Sequence, residues 1–304
     1  MSTYSIKDLE HLSGIKAHTL RIWEQRYNFL NPKRTDTNIR YYDDKDLKLI
    51  LNVSLLKDYG FKISKIAKMD EEQMLVEVIK ITEKNLKYPD QIHALTLSMI
   101  DLDEDRFEKI MSTNILHLGF ESTMINIIYP FLSKIGVLWQ TGAINPAQEH
   151  FISNLVRHKI IVAIDGQFVS SSKETSKYLF FLPEGELHEL SLLFCYYLVK
   201  SRGYKGIYLG QTLPFEDLVS VYDIHKPEYI VSIFTSSPRQ DEVQNYINKL
   251  SDSFSESQII LSGYQVAAGP VNLPDNCQSF SRIEEFISYI SEIEQVLESD
   301  NERA

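Results

Sequence analysis

Apolar residues in this chain keep a helical period through the first half and a mixed period through the second. Ile6, Leu9 and Leu12 fall on one face of a short helix, and Leu20, Trp23 and Tyr27 on one face of the next. Ser13-Gly14 reads as the turn between them, and Pro32 is placed to stop the second helix. Thr19, Arg21, Gln25 and Arg26 are left facing outward. Lys33, Arg34 and Arg40 then flank a tip, Thr35-Asp36-Thr37-Asn38, whose Asp and Asn favour tight turns. From residue 43 a stripe of Leu47, Ile50, Leu51, Val53, Leu55 and Leu56 predicts a third helix. Tyr59-Gly60-Phe61 breaks it, and Ile63, Ile66 and Ala67 start a short fourth. A helix over 71–86 follows and is broken at Tyr88-Pro89-Asp90.

Between 90 and 165 the periodic segments are 90–101, 104–119, 120–141 and 145–162, with helix starts at Asp103 and Asn145-Pro146. Four helices with short joints predict a four-helix bundle. The polar run 170–176, SSSKETS, separates it from a segment of different period. There the pattern predicts strands at 178–182, 206–210, 229–235 and 258–262, with helices at 189–202, 214–224, 241–254 and 283–298 between and after them. Such alternation means a parallel, doubly wound sheet. The expected fold class is therefore multidomain: an all-α winged helix-turn-helix head (1–72), a linker helix and four-helix bundle (73–168), and an α/β Rossmann-like, flavodoxin-like sheet domain (176–298).

Charge changes the picture. The chain of 304 residues has a formal net charge of −11, which by itself argues against nucleic acid. Yet residues 1–70 hold 13 Lys+Arg against 9 Asp+Glu. A basic head on an acidic body suits a DNA reader whose other parts avoid DNA. Thr, Arg and Tyr on the outward side of a second helix and its wing are types that reach bases and phosphates. A solvated charged face on a small helical domain is the plainer account of the same residues. Cys195 and Cys277 make no CxxC or Cys/His spacing, which excludes a common structural zinc site and leaves a reducing compartment the natural fit. With no long apolar run and a polar start, a cytoplasmic protein without a membrane partner is expected.

The head resembles that of MerR-type transcription regulators. The likeness is carried by Thr19-Leu20-Arg21, Trp23-Glu24, Arg26-Tyr27, Pro32, Arg34, Arg40-Tyr41-Tyr42 and the acidic-capped helix from Asp43. Asn38 stands where the family usually has Gly, a mild departure because Asn tolerates a left-handed backbone. The resemblance implies that Thr19, Arg21, Arg26, Arg34, Arg40 and Tyr41 contact double-stranded operator DNA, with Lys57, Lys62 and Lys65 at the backbone.

Glu186-x-His188-x-x-Ser191, and Trp139 followed after nine residues by Glu149-His150, are two further motifs, and together they resemble those of cobalamin-binding transcription regulators, including the light-sensing repressors of carotenoid genes. Glu186-x-His188-x-x-Ser191 is similar to the Asp/Glu-x-His-x-x-Gly loop of cobalamin-binding sheets, followed by Ser232-Ile233-Phe234 and Ser262-Gly263. Trp139, nine residues, then Glu149-His150 is similar to their upper-face motif. The resemblance implies that His188 ligates cobalt after displacing the cofactor's own base, and that Glu186 accepts a hydrogen bond from the other ring nitrogen. Ser232 and Gly263 would line a slot for the detached base, which Phe234 and Ser262 would narrow. Trp139, Glu149 and His150 would cover the upper face. The implied cofactor is cobalamin, in its adenosyl form, held between bundle and sheet and controlling self-association as a dimer or tetramer on DNA. Gln140 stands where the light-sensing members have a His, and an amide is a poor cobalt ligand. The implied function is a cobalamin-responsive regulator, a repressor, and light is a candidate signal. A MerR-type regulator with a degenerate sensor, answering another ligand or a protein partner, is the alternative. An enzyme is not expected, because corrinoid methyl transfer and mutase chemistry need a separate substrate barrel.

Overall fold

The computed structural model describes residues 3–27, 30, 32–35, 38–84, 88–140, 144–167 and 176–301, without the side chains of 79, 82–84, 137–140 and 294–301. It divides into two units, Met1–Leu155 and Val156–Ala304.

In the first unit, the helix Ile6–Ser13 is closed at both ends by local chemistry. Ser5 accepts the Asp8 amide while Asp8 accepts the Ser5 amide, and Gly14 ends the helix at φ 73°, a left-handed position. The second helix, Ala17–Tyr27, starts where Glu10 receives the Ala17 amide at 3.0 Å. It is described as far as Tyr27, and the stop expected at Pro32 falls next to residues outside the described ones. The two short strands β1 (Lys33–Arg34) and β2 (Arg40–Tyr41) pair antiparallel to form the wing. Asn38 lies at φ 65°, a left-handed conformation that Asn tolerates better than most residues. Asp36 and Thr37 of the expected tip lie outside the described residues. Asp43 and Asp46 cap the helix Asp44–Asp58 reciprocally, and the short helix Ile63–Ile66 follows the break at Gly60. Leu9, Leu12, Leu20, Trp23, Leu47 and Ile50 are buried as the stripes require.

The helix Glu71–Lys84 leads to Tyr88–Asp101, Glu104–Leu118, Tyr129–Gln140 and Pro146–Asp165. Tyr88-Pro89-Asp90 is not a break but a first turn, where proline's missing N–H costs nothing. The segment expected as one helix over 120–141 runs through Phe120–Thr123 and a π-turn at Met124–Ile128 before Tyr129–Gln140. Phe107, Met111, Ile127, Ile128 and Phe131 are buried between these helices.

The second unit is a five-stranded parallel sheet, order β4-β3-β5-β6-β7, from β3 (Lys177–Pro183), β4 (Lys205–Leu213), β5 (Tyr229–Ile233), β6 (Gln258–Ser262) and β7 (Cys277–Ser279). Helices Leu190–Ser201, Phe215–His225, Val243–Ser253 and Ile283–Asn301 connect or follow them. The three-residue β7 and the helix Tyr264–Ala267 extend the expected list. The order places β3 and β5 side by side, both ending at the rim where ligands of such sheets bind.

Candidate functional site

The loop after β3 is built around one carboxylate. Gly185 at φ 81° turns the chain, and Glu186 then lies fully buried. Its Oε1 accepts the His188 amide at 2.9 Å and the His188 ring Nδ1 at 2.6 Å. Its Oε2 accepts the amides of Thr235 and Ser237, each at 2.9 Å, and that of Ser236; the Ser236 hydroxyl adds 3.2 Å to either oxygen. The loop after β5 thus supplies backbone N–H groups to a side chain at the end of β3. Burial alone would raise the Glu186 carboxyl, but the His188 ring and the amides of Ser236, His188 and Ser237 hold it well below the usual carboxylate range. Gln211 and Thr212, at the end of β4, pin the loop from its other side through the carbonyls of Leu187 (2.7 Å) and Glu186 (3.4 Å).

A carboxylate accepts and does not donate, so in the neutral imidazole Nδ1 carries the proton and Nε2 the lone pair. The His188 side chain is 60% exposed, which leaves the ring accessible at the rim. An oriented imidazole with a carboxylate behind it has the chemistry of a transition-metal ligand. Just beyond, Glu189 is buried, paired with Arg157 and accepting the Tyr208 hydroxyl at 3.1 Å.

The residues expected to line a tail slot are placed differently. The Ser232 hydroxyl is buried and donates to the Phe181 carbonyl at 2.8 Å. Ser262 likewise donates to the Phe280 carbonyl at 2.8 Å. Gly263 has φ 105°, and a Cβ there would lie 2.4 Å from the Phe234 carbonyl oxygen, so its small size serves the backbone. Phe234 is fully buried, its ring 5.6 Å from that of Tyr246. The oriented His188 ring at the rim suits a corrin's metal.

In the first unit, Glu149 and His150 lie in the first turns of Pro146–Asp165, with His150 Nδ1 2.9 Å from Glu149 Oε2 and the His150 side chain 74% exposed. Trp139 and Gln140 belong to the helix Tyr129–Gln140, and their side chains lie outside the described ones. In the head, Arg21, Arg26, Arg34 and Arg40 are exposed, and Thr19 and Tyr41 half-buried. Arg34 donates to Asn38 Oδ1 at 2.7 Å, Arg40 lies 3.7 Å from Glu24, and Arg26 rests over the Tyr27 ring. Lys62, Lys65 and Lys68 line a groove with Tyr59 and Phe61. Exposed Ile22 and Ile39, which stand among the head's basic residues, were not singled out by pattern. Nor were Thr235, Ser236 and Ser237; a polar run just past a strand's carboxyl end was the signal for them.

Residues 4–73 match the family described as MerR HTH family regulatory protein, and residues 91–163 match the B12 binding domain. The chain joins a MerR-type head to a B12-binding domain. The transcriptional repressor CarH of Myxococcus xanthus is 26% identical over 254 residues, 82% of this chain and 84% of that one. CarA of the same organism is 22% identical over 266 residues, 86% of each chain. The monomethylamine corrinoid protein of Methanosarcina barkeri superposes with a TM-score of 0.51 at 12% identity, over 64% of this chain and 94% of that one, a likeness of fold. This MerR-type protein with its B12-binding domain is thus a transcriptional regulator related to those repressors. No helix among its described residues is long and apolar enough to cross a membrane.

Proposed function

We propose that this regulator is a corrinoid-responsive repressor whose head reads operator DNA and whose assembly state answers to cobalamin, in the adenosyl form. The observation that carries the reading is the 2.6 Å bond from the His188 ring to a fully buried Glu186. Cobalamin, if bound, would supply a cobalt ion, and His188 is the residue that would hold it through Nε2. Glu186 fixes the His188 tautomer and raises the basicity of Nε2. Trp139, Glu149 and His150 are assigned to the upper face, and 1–72, 73–168 and 176–298 are assigned as domains. Thr19, Arg21, Arg26, Arg34, Arg40 and Tyr41 are assigned to DNA; the charge of the four arginines makes binding fall with salt. The ligand shifts self-association only by its differential affinity for the assembled and separate forms. A dimer or tetramer then holds paired half-sites through multivalency. Enzymatic turnover is no part of this reading.

A second reading, a sensor domain that no longer takes a corrinoid, draws on the packing around Phe234. It requires equal operator affinity with and without ligand. The test is the visible spectrum and operator affinity of the full chain with adenosylcobalamin, in the dark and after illumination, beside His188→Ala. We expect a bound-corrinoid band in the wild type that His188→Ala alters, together with a ligand-dependent change in operator affinity. An unchanged spectrum with His188 intact sinks the proposal, and the illuminated arm decides the role of light.

A further inference from the structure

The rim and the interior of the sheet domain make different demands on a corrinoid. We infer that this chain, besides cobalamin, takes a corrinoid without a nucleotide tail, of the cobinamide class, and takes it more tightly. The inference rests on the proposed corrinoid function.

Ser232 lies in β5, and Phe234 directly follows that strand's last residue, Ile233. Phe234 joins Ile230, Phe181, Leu261, Phe254 and their neighbours in one buried apolar cluster. Phe234 caps the cluster at the strand end. Its ring meets Tyr246 edge-on at 5.6 Å, Tyr246 meets Phe215 at 5.9 Å, and Phe215 lies 5.9 Å from Phe254. This aromatic row links the strand end to the helices Phe215–His225 and Val243–Ser253. The backbone is locked as well: the Phe234 amide donates to the Ser262 carbonyl at 2.7 Å, and the Phe234 carbonyl receives the Gln265 amide at 2.9 Å. The small residues that would admit a tail are already engaged, Ser232 with Phe181 and Gly263 with the Phe234 backbone.

Opening the slot also disturbs the rim. Phe234 is followed directly by Thr235, Ser236 and Ser237, whose amides hold Glu186. Displacing Phe234 for a base, ribose and phosphate pulls on the donors that orient His188. Tail insertion and imidazole ligation therefore oppose one another in this chain. A ring without a tail uses His188 and leaves Phe234 in place. It also presents no internal base for the imidazole to displace.

The test is titration of the full chain in the dark with adenosylcobinamide and adenosylcobalamin, following the absorption change on histidine ligation, with His188→Ala as control. If the open slot is populated in about one molecule in ten or fewer, cobalamin binds about tenfold or more weakly than cobinamide. Phe234→Ala, and the milder Phe234→Leu should the first unfold, are expected to narrow that ratio by improving cobalamin. Cobalamin binding as tightly as cobinamide, or more tightly, in the wild type overturns the inference and leaves the sensor reading standing. Binding of neither ring overturns both.

Discussion

The chain carries two Glu/His pairs of similar distance and unlike construction. His188 and Glu186 meet at 2.6 Å, His150 and Glu149 at 2.9 Å. Glu186 is fully buried and takes amides from a loop some fifty residues away, whereas Glu149 is 33% exposed beside a His that is 74% exposed. The first pair is held by the fold and the second by helical adjacency. The contrast teaches that a short distance between the same residue types says little about preorganisation. The fixed donors behind the carboxylate set it, because they resist any other arrangement.

The sharpest way to break this comparison is Glu186→Gln. The amide cannot accept from Thr235, Ser236, Ser237 and His188 together, and buried donors left unpaired cost about 3 kcal/mol in urea unfolding. A loss below about 1 kcal/mol would make the Glu186 cluster no different from a surface pair. A smaller effect comes from acid. The folded Glu186 carboxyl lies below its unfolded value of about 4.3, so its stabilisation is complete above that pH and fades as pH falls toward the folded pKa. Unfolding at about pH 5 and pH 3 should therefore show a steeper loss in wild type than in Glu186→Gln, and parallel losses would contradict the assignment. The smallest effect is expected for Glu149→Gln, within about 0.5 kcal/mol of wild type. A larger shift there would mean that the helical pair is more than a surface contact.

Periodicity made most of the fold legible, since stripes such as Leu47–Leu51 in Asp44–Asp58 and apolar runs such as Ile259–Leu261 report burial directly. The π-turn at Met124–Ile128 left no mark because Met124, Ile125, Ile127 and Ile128 read as an apolar run in either helical form. The strand Cys277–Ser279 is too short and too polar to alternate visibly. At the rim, Glu186 and His188 were legible as a spaced pair. The amides that orient them were not, because backbone donors carry no residue signature and arrive from another strand. Ser232 was legible as a small residue, but not the use of its hydroxyl, which depends on the neighbouring carbonyl of Phe181.

Within the first unit, Lys48 pairs with Asp101, the Tyr59 hydroxyl donates to buried Asp90, and Lys134 donates to the Leu12 carbonyl. The Lys134 ammonium, which burial draws down to about 8, sits at the carbonyl end of the first helix, where a cation is favoured. These ties fasten Ile6–Ser13 and Asp44–Asp58 to Tyr88–Asp101 and Tyr129–Gln140 as struts fasten a blade to its mount. A tilt of those helices is thereby carried into the head.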